Sequence, residues 1–242
     1  REAAALVLLD DDFSSIVKTI RLGRRIFDNL RKAMAYVLAV HIPIAGLSLI
    51  PVLFGWPLVL LPVHVVFLEL IIDPACSIAF EAEPEEPNVM NRPPRDRKEP
   101  LFSRRTIVLS LLQGTAVLLV TLAIYGIAWE QGRGELEARS LAFTTLVIAN
   151  LGLILSNRVW SKNIISSMRN KNTALYIIVA ATLALLAAVF SVPFLRSLFS
   201  FGLLHVNDLA LCFGAGVACI VWFELVKFFS RPKTKLVKEI NE

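Results

Sequence analysis

Charge is scarce in this 242-residue sequence: Asp, Glu, Lys and Arg make up 19% of it, against 56% hydrophobic residues. A soluble domain carries about a quarter charged and about 45–50% apolar residues, so a soluble enzyme is excluded at the outset. Cysteine is rarer still. Cys76, Cys212 and Cys219 are too few and too scattered for a disulfide framework, and no CxxC pair occurs. Eleven glycines and twelve prolines are ordinary for the length, which removes collagen-like and low-complexity chains. Also missing are a phosphate-cradling Gly-rich loop, an HExxH pair and a nucleophile elbow, so these residues carry no hydrolytic machinery of their own. The net charge of +5 raises nucleic acid as a partner, but no basic patch on a soluble face supports it. What is abundant is long apolar runs. This is an integral membrane protein.

Six runs are long enough to cross about 30 Å of hydrocarbon as helices. The hydropathy pattern predicts spans over Met34–Phe54, Leu60–Phe80, Ile107–Ala128, Leu141–Leu155, Leu175–Leu195 and Asp208–Phe229. The fourth is short, and the second carries acids. Basic residues provide an independent check, because Lys and Arg concentrate on the cytoplasmic side. Of the 25, 22 lie before span one, between spans two and three, between four and five, or at the end of span six and beyond it. The alternate loops hold only Arg133, Arg139 and Arg196. That alternation predicts six spans with both termini in the cytoplasm.

The sequence opens without an initiator methionine or signal peptide, which predicts that more chain precedes it. Ala5–Leu9 reads as a buried strand with no second strand to pair with. After Asp10–Asp12, good helix-start residues, an apolar stripe of Ile16, Ile20, Gly23, Phe27, Leu30 and Met34 runs unbroken into span one. At 1.5 Å per residue the stretch from Phe13 to Phe54 is a rod about 60 Å long, twice the membrane's thickness. Half of it stands in the cytoplasm as a stalk that needs a soluble partner.

Ionisable residues inside a span are costly and point to function. Span two carries Glu69 and Asp73, four apart on one helical face, and Pro74 follows at once. Proline lacks an N–H, so the carbonyl of Leu70 loses its helical partner. Carboxylates beside freed carbonyls at mid-membrane depth replace the hydration shell of a hard cation. In span one Pro43 frees the carbonyl of Ala39 in the same way, and His41 stands beside it either as ligand or proton acceptor or as an interhelical hydrogen-bonding residue. Asn150 in span four offers a neutral oxygen to an ion or to a neighbouring helix. His64 is expected at the interface. Cys76 reads as inert packing, and Glu81, Glu83, Glu85 and Glu86 read as a solvated loop. Glu224 and Lys227 have the spacing of an anchoring ion pair.

The chain resembles a known family. The segment REAAALVLLDDDFSSIVKTIRLGRRIFDNLRKAMAYVL is similar to the end of the phosphorylation domain and the fifth transmembrane helix of P-type cation-transporting ATPases. More specifically, Met90–Leu101 (MNRPPRDRKEPL) is similar to the loop after the sixth helix in the calcium-pump branch. ELIIDP, containing Glu69 and Asp73, falls where that branch has its Asn and Asp ion ligands. The resemblance implies an all-α transmembrane bundle corresponding to helices five to ten. Residues 1–12 would end a cytoplasmic phosphorylation domain, 13–33 form the stalk, 34–229 the six spans, and 230–242 a basic cytoplasmic tail. It further implies missing partners in the same pump: the first four helices, the cytoplasmic domains and the phosphorylated aspartate, with ATP and Mg2+ bound there.

Departures from the family bear on the ion. His41 and Ile44 stand where helix five has a ligating Asn and Glu. Glu69, Ile72 and Pro74 replace Asn, Thr and Gly, and Asn150 stands where the sarcoplasmic calcium pump has Glu. One of that pump's two sites is thus largely absent, which implies one divalent cation per cycle, Ca2+ or Mn2+. The alternative is a self-contained six-span channel or secondary transporter. It lacks the second, matching broken helix that paired inverted halves provide. A transport-inert anchor leaves the two carboxylates unexplained.

Overall fold

The computed structural model describes residues 2–4, 7–8, 12–94, 101–158 and 172–229. Helix α1 spans Phe13–Leu53, 41 residues without a break, so stalk and first span are one rod as the pattern predicts. Asp12 caps it in extended conformation, accepting the Ser14 amide at 2.8 Å. The Ser14 hydroxyl and amide hold that carboxyl below the usual carboxylate range. Pro43 and Pro51 lie inside α1 without ending it, because neighbouring helices support the rod there. Part of the predicted strand Ala5–Leu9 lies outside the described residues, and Val7 and Leu8 have no regular structure.

Helix α2 (Pro62–Pro74) opens with proline at its first position, where the missing N–H costs nothing. It continues directly into a π-helical turn, Ala75–Ala79. Helix α3 (Arg104–Glu130) is capped by the Ser103 hydroxyl, which accepts the Thr106 amide at 3.1 Å. Helix α4 covers Gly134–Asn157 and α5 Thr173–Ser191, the latter capped by Asn172. The fifth span was expected to reach Leu195. It stops at Ser191 because Pro193 forces Val192 into the extended region and starts a separate short helix, α6 (Pro193–Leu198). Helix α7 runs Val206–Phe229.

Among the described residues six helices are long and apolar enough to cross a membrane, and there is no strand. The fourth is not short, as hydropathy suggested, but 24 residues. Its first turns carry Glu135, Glu137 and Arg139, which depress hydropathy although Arg139 is buried. The Arg139 guanidinium pairs with Glu135 and donates to the carbonyls of Leu58 and Ser200, so its burial is compensated. Helix α4 is the centre of the bundle, wrapped chiefly by α3 and α7, while α1 packs mainly on α3. Backbones approach closely where side chains are absent. A Cβ on Gly114 would stand 2.4 Å from the carbonyl oxygen of Ala39, and Gly152 and Gly216 receive Ile220 and Ile148 across the α4–α7 contact.

Candidate cation-binding site

One face of α2 presents Glu69 and Asp73 to a cleft of about 340 Å³, with Val65, Val66, Leu70 and Pro74 as its walls. Pro74 cannot donate to the carbonyl of Leu70, and the helix widens into the π turn immediately afterwards. The site therefore sits at a break in regular hydrogen bonding. Across the α1–α2 contact the Nε2 of His41 stands 3.9 Å from a carboxylate oxygen of Glu69, the two side chains 50% and 40% exposed. His41 Nδ1 lies 2.8 Å from the Val37 carbonyl, to which it donates. In the neutral ring Nε2 then offers a lone pair toward Glu69, so two acceptors face one another.

The other sequence candidates are placed differently. Asn150 is buried in α4, and its side-chain oxygen has no hydrogen-bond partner among the described residues. The carbonyl of Ala39 lies against Gly114 of α3, while His41 two residues on meets α2. Leu70 lines the cleft beside the acid pair. Glu69, Asp73, His41 and Leu70 are thus gathered, and Asn150 and Ala39 belong to the bundle core. Among the described residues no three His, Cys, Asp or Glu side chains converge tightly enough to hold a metal ion by themselves.

Beyond the π turn the chain returns along the stalk and is tied to it at successive turns. Arg24 donates to the carbonyls of Val89 and Arg92 at 2.8 and 2.7 Å, and Asn29 to that of Glu83 at 2.8 Å. Arg92 forks onto both oxygens of Asp28, and Lys32 meets Glu86 at 2.8 Å. Asp28 holds the Arg92 guanidinium above its ordinary value. The expectation of a solvated acidic loop holds for Glu81 and Glu85, which are exposed, and is corrected for Glu83 and Glu86, which are buried. Glu83 forms an ion pair with Arg158 at the end of α4, the two side chains 1% and 2% exposed. Asn172, which caps α5, donates to Glu83 at 2.6 Å and to the Ala79 carbonyl at 2.8 Å. One carboxylate therefore joins the loop to α4 and α5, while the backbone around it is tied to the stalk. No local signal marks Glu83, because Arg158 is 75 residues away and Asn172 is 89.

His64 is also corrected. Instead of lying at an interface it is fully buried, accepting the Leu61 amide at 2.9 Å and donating to the Phe199 carbonyl at 2.8 Å. Its ring stacks on Phe201 with centroids 5.0 Å apart. Glu224 and Lys227 pair at 3.0 Å as their spacing predicts.

These features define a polytopic helical membrane protein with an acidic, broken helix beside a long stalk. Compared with known proteins, residues 57–229 match the family described as Cation transporting ATPase, C-terminus. The chain belongs to that family, as a C-terminal transmembrane portion of a P-type cation ATPase. It is 32% identical over 202 residues to a Calcium-transporting ATPase of Bacillus subtilis, covering 82% of this chain and 22% of that protein. Calcium-transporting ATPase 1 of Yarrowia lipolytica is 28% identical over 211 residues, covering 86% and 22%. A Probable cation-transporting ATPase F of Mycobacterium bovis is 33% identical over 160 residues, covering 65% and 18%. The chain thus spans about a fifth of the length of these three relatives.

Proposed function

We propose that this chain is the ion-binding transmembrane half of an ATP-driven pump that moves one divalent cation per cycle, Ca2+ or Mn2+. The observation that carries the reading is the Glu69–Asp73 pair on the open face of a helix broken by Pro74 and a π turn. Two carboxylates and a freed carbonyl supply hard oxygen ligands, and the remaining ligands come from helices outside this chain. His41 tilts the preference toward Mn2+. Its imidazole nitrogen, 3.9 Å from a carboxylate oxygen of Glu69, is a donor that suits Mn2+ better than Ca2+. Calcium is supported by the printed names of the relatives and by the oxygen ligands.

ATP and Mg2+ act in cytoplasmic domains elsewhere in the parent protein. The exposed apolar side chains Phe13, Val17 and Ile20 are where such a domain seats on the stalk. Stalk movement reaches the ion site through the loop over residues 81–92, which is fastened to Arg24, Asp28, Asn29 and Lys32 and follows the π turn directly. Both termini of this chain face the cytoplasm, in line with the distribution of Lys and Arg. Equilibrium binding of radioactive Ca2+ and Mn2+ to the full-length parent tests the stoichiometry. One ion per protein, lost in Glu69→Gln, is the expected result; two ions, or binding unchanged by that substitution, contradicts the site.

A further inference from the structure

The end of α2 far from the stalk is held by two buried side chains, each of which reaches more than one partner. His64 accepts the Leu61 amide at Nδ1 and donates from Nε2 to the Phe199 carbonyl, so its neutral ring joins the start of α2 to the loop that follows α6. Arg139, near the start of α4, donates to the Leu58 carbonyl from Nη2 at 2.8 Å and to that of Ser200 at 3.1 Å. It thereby ties the α1–α2 loop to the same stretch, residues 199–202. Tyr125 of α3 adds its hydroxyl to the Pro57 carbonyl at 3.0 Å.

The stretch that receives these bonds is itself fixed. Ser140 Oγ donates to the Gly202 carbonyl at 3.2 Å, and the Gly202 amide donates to the Leu136 carbonyl at 3.0 Å. A Cβ on Gly202 would stand 2.8 Å from the backbone nitrogen of Glu137, so this loop lies directly on the first turn of α4. Phe199 and Phe201 are buried, and with Phe67 and Phe143 they enclose the His64 ring.

Glu69 follows His64 by five residues, about 7.5 Å along the helix axis. Beyond Asp73 the π turn leads into the loop over residues 81–92, which is fastened to the stalk as well as to α4 and α5. Between the two fastenings one face of α2 is open to the cleft. We propose that His64 and Arg139 are positioning residues for the ion site. They pin the far end of α2, so that displacement arriving through the loop is taken up at Pro74 and the π turn, beside the carboxylates, and not by sliding of the whole helix. The proposal rests on the pump reading.

The test uses the full-length parent carrying His64→Asn or His64→Gln. The asparagine amide oxygen reaches the Nδ1 position and keeps the local bond to Leu61, whereas the glutamine amide nitrogen reaches the Nε2 position and keeps the bond to Phe199. Hydrogen exchange over residues 57–68 reads the tie. The Ca2+ or Mn2+ concentration that half-saturates phosphoenzyme formation reads the ion site, and ions moved per ATP in proteoliposomes read the positioning. In His64→Asn, loss of the bond to Phe199 should speed exchange about tenfold. The same variant should move fewer ions per ATP at an unchanged half-saturating concentration, and His64→Gln should restore both exchange and ion count. Exchange unchanged in His64→Asn, an unchanged ion count, or a loss that His64→Gln shares or that tracks weaker ion binding overturns the proposal. If wild-type phosphoenzyme ignores both cations, the pump reading fails and the positioning role with it, while faster exchange in His64→Asn alone still establishes the tie.

Discussion

Glu83 and Arg158 show how much a single pair can hold. Both are withdrawn from water, a loss that their mutual attraction and the Asn172 hydrogen bond at 2.6 Å must offset. Removing one partner strands the other as a buried charge. Arg158→Met should therefore destabilise the bundle by about 3–5 kcal/mol, whereas the double variant Glu83→Met, Arg158→Met should recover most of that loss. Thermal unfolding of Glu83→Met, Arg158→Met and the double variant in detergent checks the cycle, and additive losses would show that the pair is not coupled. At this scale the Glu69–Asp73 pair of the proposed site was legible from sequence, because carboxylates amid Val, Leu and Ile stand out whatever surrounds them. Glu83, Glu86 and His64 were not. Their burial depends on Arg158, Asn172, Lys32 and Phe199, partners that local patterning does not bring together.

Among the elements, α1 and α2 are the ones that the proposed coupling would run through. Ile20 is exposed on the stalk, so replacing it removes little packing within this chain. Glycine there lowers helix stability by about 1 kcal/mol and softens the rod. In the parent, Ile20→Gly should leave phosphorylation by ATP intact but lower the number of ions moved per ATP; an unchanged ratio in proteoliposomes would remove the lever role. Where α1 crosses α3 the fit is tight. The Cβ of Gly114→Ala would meet the backbone oxygen of Ala39, which has no rotamer with which to yield. A loss of about 1–3 kcal/mol is expected, seen as a lower Tm, and an unshifted Tm would mean that the two helices are not pressed together there. Six spans were readable from hydrophobic length, and the continuous rod from its stripe. The start of α4 was not, because Arg139 is a buried cation satisfied by carbonyls of Leu58 and Ser200 that hydropathy does not register.

For the whole molecule, the arrangement is a bundle centred on α4 with the acid pair displaced to an edge, on α2. A proposed ion site open on one side fits a chain that spans about a fifth of the relatives described above. The central claim is that Glu69 and Asp73 bind the cation whose arrival permits phosphorylation elsewhere in the parent protein. Formation of acid-stable phosphoenzyme from labelled ATP tests it most directly, measured across Ca2+, Mn2+, Zn2+, Mg2+, Na+ and K+. The account predicts that Ca2+ or Mn2+ switches labelling on and that Asp73→Asn abolishes the response. Labelling that ignores every cation, or an Asp73→Asn protein that answers its ion like the wild type, would contradict it.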